Sequence, residues 1–543
     1  MGPFVQIDSL RYARPWILFC GLLLLTVVSA AQTSDQPPGQ FKLAGSVVNS
    51  VSGEPIRRAL VQLEGNLELS VLTDANGRFE FAGLPAMQAR VTARKPGFFA
   101  DEELEDAHAE PTTILVGADT DAVTVKLTPE SIISGRVEAP DGEPIEDIPI
   151  RVISSSIVDG RRHWEPRANA MTNEDGEFRV ANLPPGAYYV EAGPGASFRV
   201  RRSRRLNLGE EGYATSFYPG ATDPTAASPL VLSPGQQQEI DFSLKPQPVF
   251  RLSGIVRGYA AETGVELQFV DRFGEQVALP TQFDSQTGRF STKIPAGDYV
   301  LRARSQSANQ LTAADLPISV NGDLAGVQVI LGPSATIPIV VQREASATPD
   351  GQVFSTHDQP VAVHLFANDS PFGAQDFWSA PDPQGRSLAL RNIEPGRYSV
   401  EVTTAGMWYV QSITCGTSDL LHEQLVIPSG GQLPPIEIVL RNDGAALTGS
   451  VQQDGNPEKG IALLIPDRGS AAQARVANAG QAGSFRFDHL APGDYRLLAF
   501  DRVKDLEYRD PEVLNAYLSR GTHVTLQANG QANASVELIK VEK

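Results

Sequence analysis

Leu183-Pro184-Pro185-Gly186-Ala187-Tyr188-Tyr189-Val190 is a turn running into a strand, and the block recurs along the chain. Its other copies begin Leu84-Pro85-Ala86-Met87, Ile294-Pro295-Ala296-Gly297, Ile393-Glu394-Pro395-Gly396 and Leu490-Ala491-Pro492-Gly493. The leading Leu/Ile positions step by 99, 111, 99 and 97 residues. Tyr188, Tyr299, Tyr398 and Tyr495 follow shortly after the Gly, with Val190, Leu301, Val400 and Leu497 two positions further on. That alternation sends every second side chain to one face, as a half-buried strand requires. Pro followed by Gly predicts a type II turn, with Gly at φ > 0. The first copy is degenerate, with Met87 and Ala89 in place of Gly and Tyr.

Working outward, each block is preceded by a second turn-and-strand unit. The clearest are Asn76-Gly77-Arg78-Phe79-Glu80-Phe81, Asp175-Gly176-Glu177-Phe178 and Gly483-Ser484-Phe485-Arg486-Phe487. Asn-Gly and Asp-Gly are strong hairpin signals. Gly288-Arg289-Phe290 is one residue closer to its block, and Gly385-Arg386-Ser387-Leu388 lacks the aromatic; both departures suggest a bulge or shifted register. Further upstream, Leu43-Ala44-Gly45-Ser46-Val47, Ile133-Ser134-Gly135-Arg136-Val137, Leu252-Ser253-Gly254-Ile255-Val256 and Leu447-Thr448-Gly449-Ser450-Val451 share one opening pattern. The fourth repeat opens differently, with Ile337-Pro338-Ile339-Val340-Val341. Short strands at this turn spacing give roughly seven strands per ~100 residues, which is sandwich spacing.

The reading is therefore all-β, a tandem array of five immunoglobulin-like β-sandwiches behind a signal peptide. The expected boundaries are 41–128, 129–247 (with a long insertion), 248–332, 333–441 (divergent) and 442–543, after a lead-in at 31–40. Pro-containing junctions such as Lys245-Pro246-Gln247-Pro248 and Gly332-Pro333-Ser334 predict a semi-rigid rod. Helix signals are poor, and the best candidate is Pro511 to Arg520, a single short helix or an irregular segment.

Composition agrees. The 543 residues include 48 Gly and 40 Pro, are 41% hydrophobic and carry a net charge of -19. That is enough apolar material for packed cores. High Gly and Pro exclude a coiled coil or helical bundle. The acidic balance argues against a nucleic-acid partner. Cys20 and Cys415 are the only cysteines, which excludes a disulfide scaffold.

Arg11 and Arg14 precede an apolar run from Trp16 to Val28, and small residues follow at Ser29, Ala30 and Ala31. This is the pattern of a secretory signal peptide cut after Ala30 or Ala31. The run is about 13 residues, short of the ~20 that span a bilayer. An exported product is expected, periplasmic, cell-surface or extracellular, with no transmembrane segment after cleavage.

Gly53-Glu54-Pro55-Ile56 with Asp74-Ala75-Asn76-Gly77-Arg78-Phe79, and Gly142-Glu143-Pro144-Ile145 with Leu183-Pro184-Pro185-Gly186-Ala187-Tyr188, resemble the carboxypeptidase regulatory-like domain family. The likeness extends over most of residues 41–543, moderately in the fifth repeat and weakly in the third and fourth. It implies a transthyretin-like, carbohydrate-binding-like sandwich and a non-catalytic accessory or adhesive module. Its motifs specify a fold well and a function poorly.

Catalytic patterns are missing. None of the seven His begins a His-x-x-Glu, and Gly-x-Ser-x-Gly and the phosphate-cradling Gly-rich loop are absent. No enzyme, cofactor or metal is expected. Acidic turns such as Asp74-Ala75-Asn76-Gly77 lack the full ligand run of a calcium loop and read as hairpin turns. Lys42 has no counterpart opening the other repeats, which disfavours a Lys–Asn cross-linked stalk.

Two aromatics in polar loops, Trp164 and Trp378, are candidate glycan contacts, whereas Trp408 reads as core. Arg199, Arg201, Arg202, Arg204 and Arg205 form a dense basic cluster that suits an anionic partner or a solvated strand edge. The function expected is an exported binding or structural protein presenting such domains to polysaccharide or envelope protein. The alternative is an accessory subunit of a secreted peptidase or glycan-degrading system.

Overall fold

The computed structural model describes residues 41–541 except 105–112, 119, 194–200, 203–209, 275, 278, 308–310, 346–359, 368–375, 382–386, 431 and 468–472. Ala30, Ala31 and the rest of the N-terminal signal pattern lie outside the described residues. The chain is all-β, a tandem series of β-sandwiches. Among the described residues the one α-helix is Pro511–Leu518, where it was expected, capped by Asp510, whose carboxylate accepts from the Glu512 amide. No helix among them is long and apolar enough to cross a membrane.

The chain separates into two compact units. The first draws on 1–48, 54–94 and 109–125, the second on 49–53, 95–108 and 126–543. In the first, Phe41–Asn49 pairs antiparallel with Arg78–Leu84, and Leu60–Glu64 lies between Leu69–Leu72 and Met87–Arg94. Alternating residues Leu43, Val47, Val61, Leu63, Phe79 and Phe81 are buried. Lys42 forms an exposed ion pair with Glu80 at 2.9 Å.

The second unit repeats one strand plan around separate cores at 133–244, 252–331, 335–440 and 445–538. In each, the opening strand lies between two partners. One is the antiparallel strand leading into the Leu/Ile block. The other is the repeat's last long strand, which runs parallel to it: Gln237–Ser243, Leu324–Ile330, Ile436–Arg441 and Gln531–Ile539. Because first and last strands run the same way, the chain enters and leaves each sandwich at opposite ends, so repeats follow one another through short junctions.

The opening glycine has a packing cause. Gly45, Gly135, Gly254 and Gly449 sit directly opposite Phe79, Phe178, Phe290 and Phe485. A Cβ at these positions would lie 2.5 to 3.0 Å from the phenyl ring and closer still to a carbonyl of the neighbouring strand. Each ring covers the bare glycine backbone across the strand pair. In the fourth repeat Ile339 faces Leu388, so both partners of the pair are replaced together.

Two expectations are corrected. Gly297, Gly396 and Gly493 have φ of 154°, 158° and 155° and open the next strand, far from the +80° of a type II turn. The left-handed residue comes earlier, just before the Leu/Ile: Gly83, Asn182, Asn392 and His489 have φ of 55° to 73°. There the register slips by a residue, as in a β-bulge. The third repeat, one residue shorter, pairs through Ile294 with no slip.

The second correction concerns contacts between repeats of the second unit, read from the sequence only at their junctions. Pro149–Val158 and Arg161–Met171 form a hairpin with a two-residue turn, Asp159-Gly160. Both turn residues have φ > 0 (49° and 73°), as a type I′ turn demands. The tip touches the fourth and fifth repeats, so contacts in the second unit are not confined to sequence neighbours.

Candidate functional site

The repeated tyrosine is a positioning device. Tyr188, Tyr299, Tyr398 and Tyr495 each donate the phenol to the carbonyl four residues back, on Pro184, Pro295, Glu394 and Ala491, at 2.6 to 3.2 Å. This ties the start of each strand to its turn, like a tyrosine corner. Burial raises all four phenol pKa values, that of Tyr495 to about 12. Sequence reading took these tyrosines only as strand residues. Their uniform spacing after the turn was the available signal.

The acidic turns are occupied by their own backbone. Asp74 Oδ1 accepts from the Asn76 and Arg78 amides, both at 2.8 Å. Asn173 accepts likewise from Asp175 and Glu177. Such Asx geometry serves the hairpin.

Trp378 is the exposed aromatic platform. It ends the short strand Asp376–Trp378, which alternation turns inside out. Phe377 points inward, edge-on to Tyr398, while Trp378 points outward with 60% of its surface exposed. Its indole lies flat on the His364 imidazole, with centroids 4.1 Å apart and planes 8° from parallel. Ser379 fixes the strand end, its amide donating to the Val363 carbonyl and its hydroxyl accepting from the Val363 amide. Trp378, His364 and Glu401 form one row across three strands, with Phe366 and Asp376 in the next row on the same face. His364 Nε2 is 3.4 Å from Asp376 Oδ1. One indole face is thus braced while most of the side chain is exposed, in the row beside the Asp376 carboxylate, which accepts hydrogen bonds.

Trp164 is differently placed. It stands on a strand, half-buried, edge-on to Tyr189 at 4.7 Å, and it packs against the cluster of Ile153, Phe217 and Phe273. Trp408 is buried, as expected. Of the basic cluster, Arg201–Arg202 form a short strand paired with Glu210 and Glu211. Arg199, Arg204 and Arg205 lie outside the described residues.

The face carrying Trp378 also receives the second repeat's hairpin tip. Arg161 stacks over the Phe366 ring at 4.1 Å and pairs with Glu401. Arg509 of the fifth repeat reaches the same Glu401 oxygen at 3.3 Å. Sequence reading missed His364, Phe366, Glu401 and Arg509, because partners 240 and 108 residues apart leave no local pattern. An open polar depression on the last repeat, lined by Thr448, Asn478, Ser484, Arg486 and Asn533, is separate from this row.

Strand plan and site together define a repeat protein of small β-sandwiches whose exposed chemistry lies on sheet faces. Residues 42–128 and 132–245 match the model of the carboxypeptidase regulatory-like domain. No curated protein matches the chain in sequence. Similar solved structures include a Streptococcal ancillary pilin, 12% identical with a TM-score of 0.20, over 53% of this chain and 99% of that one. The RrgB pilus protein from Streptococcus pneumoniae is 8% identical with a TM-score of 0.16, over 77% and 99%. The Bacillus anthracis TIE protein is 12% identical with a TM-score of 0.17 over 55% of this chain, which spans about half (51%) of that one.

Proposed function

We propose that this chain is an exported, non-catalytic array of five sandwiches, with the boundaries read from the repeat, that presents Trp378 to a polysaccharide of the cell envelope. The observation that carries the reading is the flat, braced, 60% exposed indole of Trp378 on His364. A sugar ring offers a face of C–H groups that packs on such a plane, and its hydroxyls suit the adjacent Asp376. Holding a large aromatic exposed forgoes the burial it would gain in a core, which a ligand would restore.

The test is binding of the full chain to a panel of cell-wall polysaccharides and soluble glycans. Saturable binding is expected, weakened at least about tenfold by Trp378→Ala, a loss of about 1.4 kcal/mol. Trp164→Ala should lower stability more than affinity. Binding that is unchanged in Trp378→Ala would remove the platform from the mechanism. The regulatory-like match over 42–128 and 132–245 favours a second reading, an accessory subunit of a secreted peptidase. Capture of a peptidase by a chain that binds no glycan would select it.

A further inference from the structure

Some contacts between repeats in the second unit join sequence neighbours. Ile153, Phe217 and Phe273 form an apolar seam between the second and third repeats, and Arg304 pairs with Glu394 between the third and fourth. The hairpin tip is different, because it joins the second repeat to the fourth and fifth.

We propose that the Asp159–Arg162 tip is a reversible latch, seated in a socket made by Phe366 and Glu401 of the fourth repeat and Glu507, Tyr508 and Arg509 of the fifth. The fit is specific. The Tyr508 phenol donates to Asp159 Oδ1 at 2.8 Å, and the Arg509 amide donates to the Gly160 carbonyl at 3.1 Å. Arg509 also donates through Nε to the Asp159 carbonyl and through Nη2 to Asp159 Oδ2, both at 2.7 Å. Arg162 pairs with Glu507, and Arg161 with Glu401. The Tyr508 ring lies so close to Gly160 that an added Cβ would approach it to 2.6 Å.

The chemistry makes the closure reversible. Apart from the Tyr508 and Phe366 rings, the contacts are hydrogen bonds and partly solvated ion pairs, which are individually weak and screened by salt. Closure depends on tethering, which raises the effective concentration of tip and socket. Surfaces joined this way behave like transient interfaces. Opening frees the Phe366 ring, which neighbours His364 at 5.3 Å beneath Trp378. The latch stands whether or not Trp378 binds a glycan.

The Arg509 amide is the reporter, read by hydrogen exchange on the full chain. Gly160→Val should block seating, and Arg162→Glu should repel Glu507. Each should speed exchange across 505–510 about tenfold while Leu497 in the core of the fifth repeat stays protected. Raising salt to about 1 M should do the same in the unaltered protein. The paired change Arg162→Glu with Glu507→Arg restores opposite charges and should restore protection. Unchanged exchange in both single variants would show that the tip is not seated in solution. Protection insensitive to salt would make the contact a fixed interface. Either result overturns the latch.

Discussion

The glycine–phenylalanine pair makes a sharp prediction at Gly449. An added Cβ would stand 2.0 Å from the Ala534 carbonyl oxygen and 2.5 Å from Phe485 Cζ. Ordinary contacts of these kinds are about 3.3 Å or more. Relief requires moving both the parallel strand Gln531–Ile539 and the Phe485 ring by about 1 Å. Neither is free: the strand pairs in continuous register from Ala446 to Gln452, and the ring is buried edge-on to Phe487 at 5.7 Å. Overpacking costs about 1–3 kcal/mol, and a lost ladder hydrogen bond about 1 kcal/mol more. Reduced freedom of the unfolded chain returns about 0.4–1 kcal/mol. Gly449→Ala should therefore destabilise the last repeat by about 2–3 kcal/mol.

Phe485→Leu alone should cost about 1 kcal/mol, and the double variant should fall about 1 kcal/mol short of the sum, because Leu withdraws the ring but leaves the carbonyl. The same position in the fourth repeat should behave oppositely. Ile339 is buried against Leu388, so restoring the repeated residue with Ile339→Gly should cost about 3 kcal/mol or more. The chain has several cores, so one melting curve is not a two-state measurement. Hydrogen exchange in urea, followed at Val451 and Leu497 for the last repeat and at Val363 for the fourth, resolves the two. A Gly449→Ala protein as stable as the parent, or strictly additive costs, would refute the pairing.

Two further outcomes follow from the tyrosine and the bulge. Tyr495 is neutral in the fold with its pKa raised by burial to about 12 from 10.0. The unfolded chain loses that proton first, so the last repeat should lose stability as pH rises from about 10 toward 12, and Tyr495→Phe should weaken that dependence, leaving the part due to Tyr508, whose phenol burial also pushes up to about 12, at a cost of about 1 kcal/mol at neutral pH. Asn182 holds φ of 58° in the bulge before Leu183, so Asn182→Val should destabilise the second repeat by about 1–2 kcal/mol, and Asn182→Gly should be near neutral, both read by hydrogen exchange at Val180.

Strand order and core were largely legible because burial leaves a period of two in the sequence. Phe79 and Phe81, or Phe485 and Phe487, announce their inward face directly, and both pairs are buried. The outward Trp378 was legible for a related reason, since it follows Phe377 in a polar setting. Its brace was not. His364 meets it across a strand pair, and nothing local marks which histidine will lie opposite which tryptophan. The contact between non-neighbouring repeats was hidden for the same reason. Linker composition describes how freely a junction bends, whereas Asp159-Gly160 meets Tyr508 and Arg509 through a side-to-side fit that no junction encodes.

The third repeat shows how a departure from a pattern can carry more information than the pattern. Its single missing residue between Phe290 and Ile294 suggested an irregularity in that repeat. In this strand pair the register shows the reverse: the longer repeats slip here, and the third pairs without a shift, its own slip lying against the parallel strand Leu324–Ile330. A bulge places one extra residue on one strand and turns it out of the pairing. Removing that residue leaves both the buried Phe and the buried Leu/Ile in place, because Phe290 and Ile294, four apart, fall on one face without correction. Phe178 and Leu183, five apart, would fall on opposite faces, and the left-handed Asn182 brings Leu183 back to the core. Residue count and backbone conformation therefore change together to preserve the same buried pair, so the core contact, not the turn, is what the repeat holds constant.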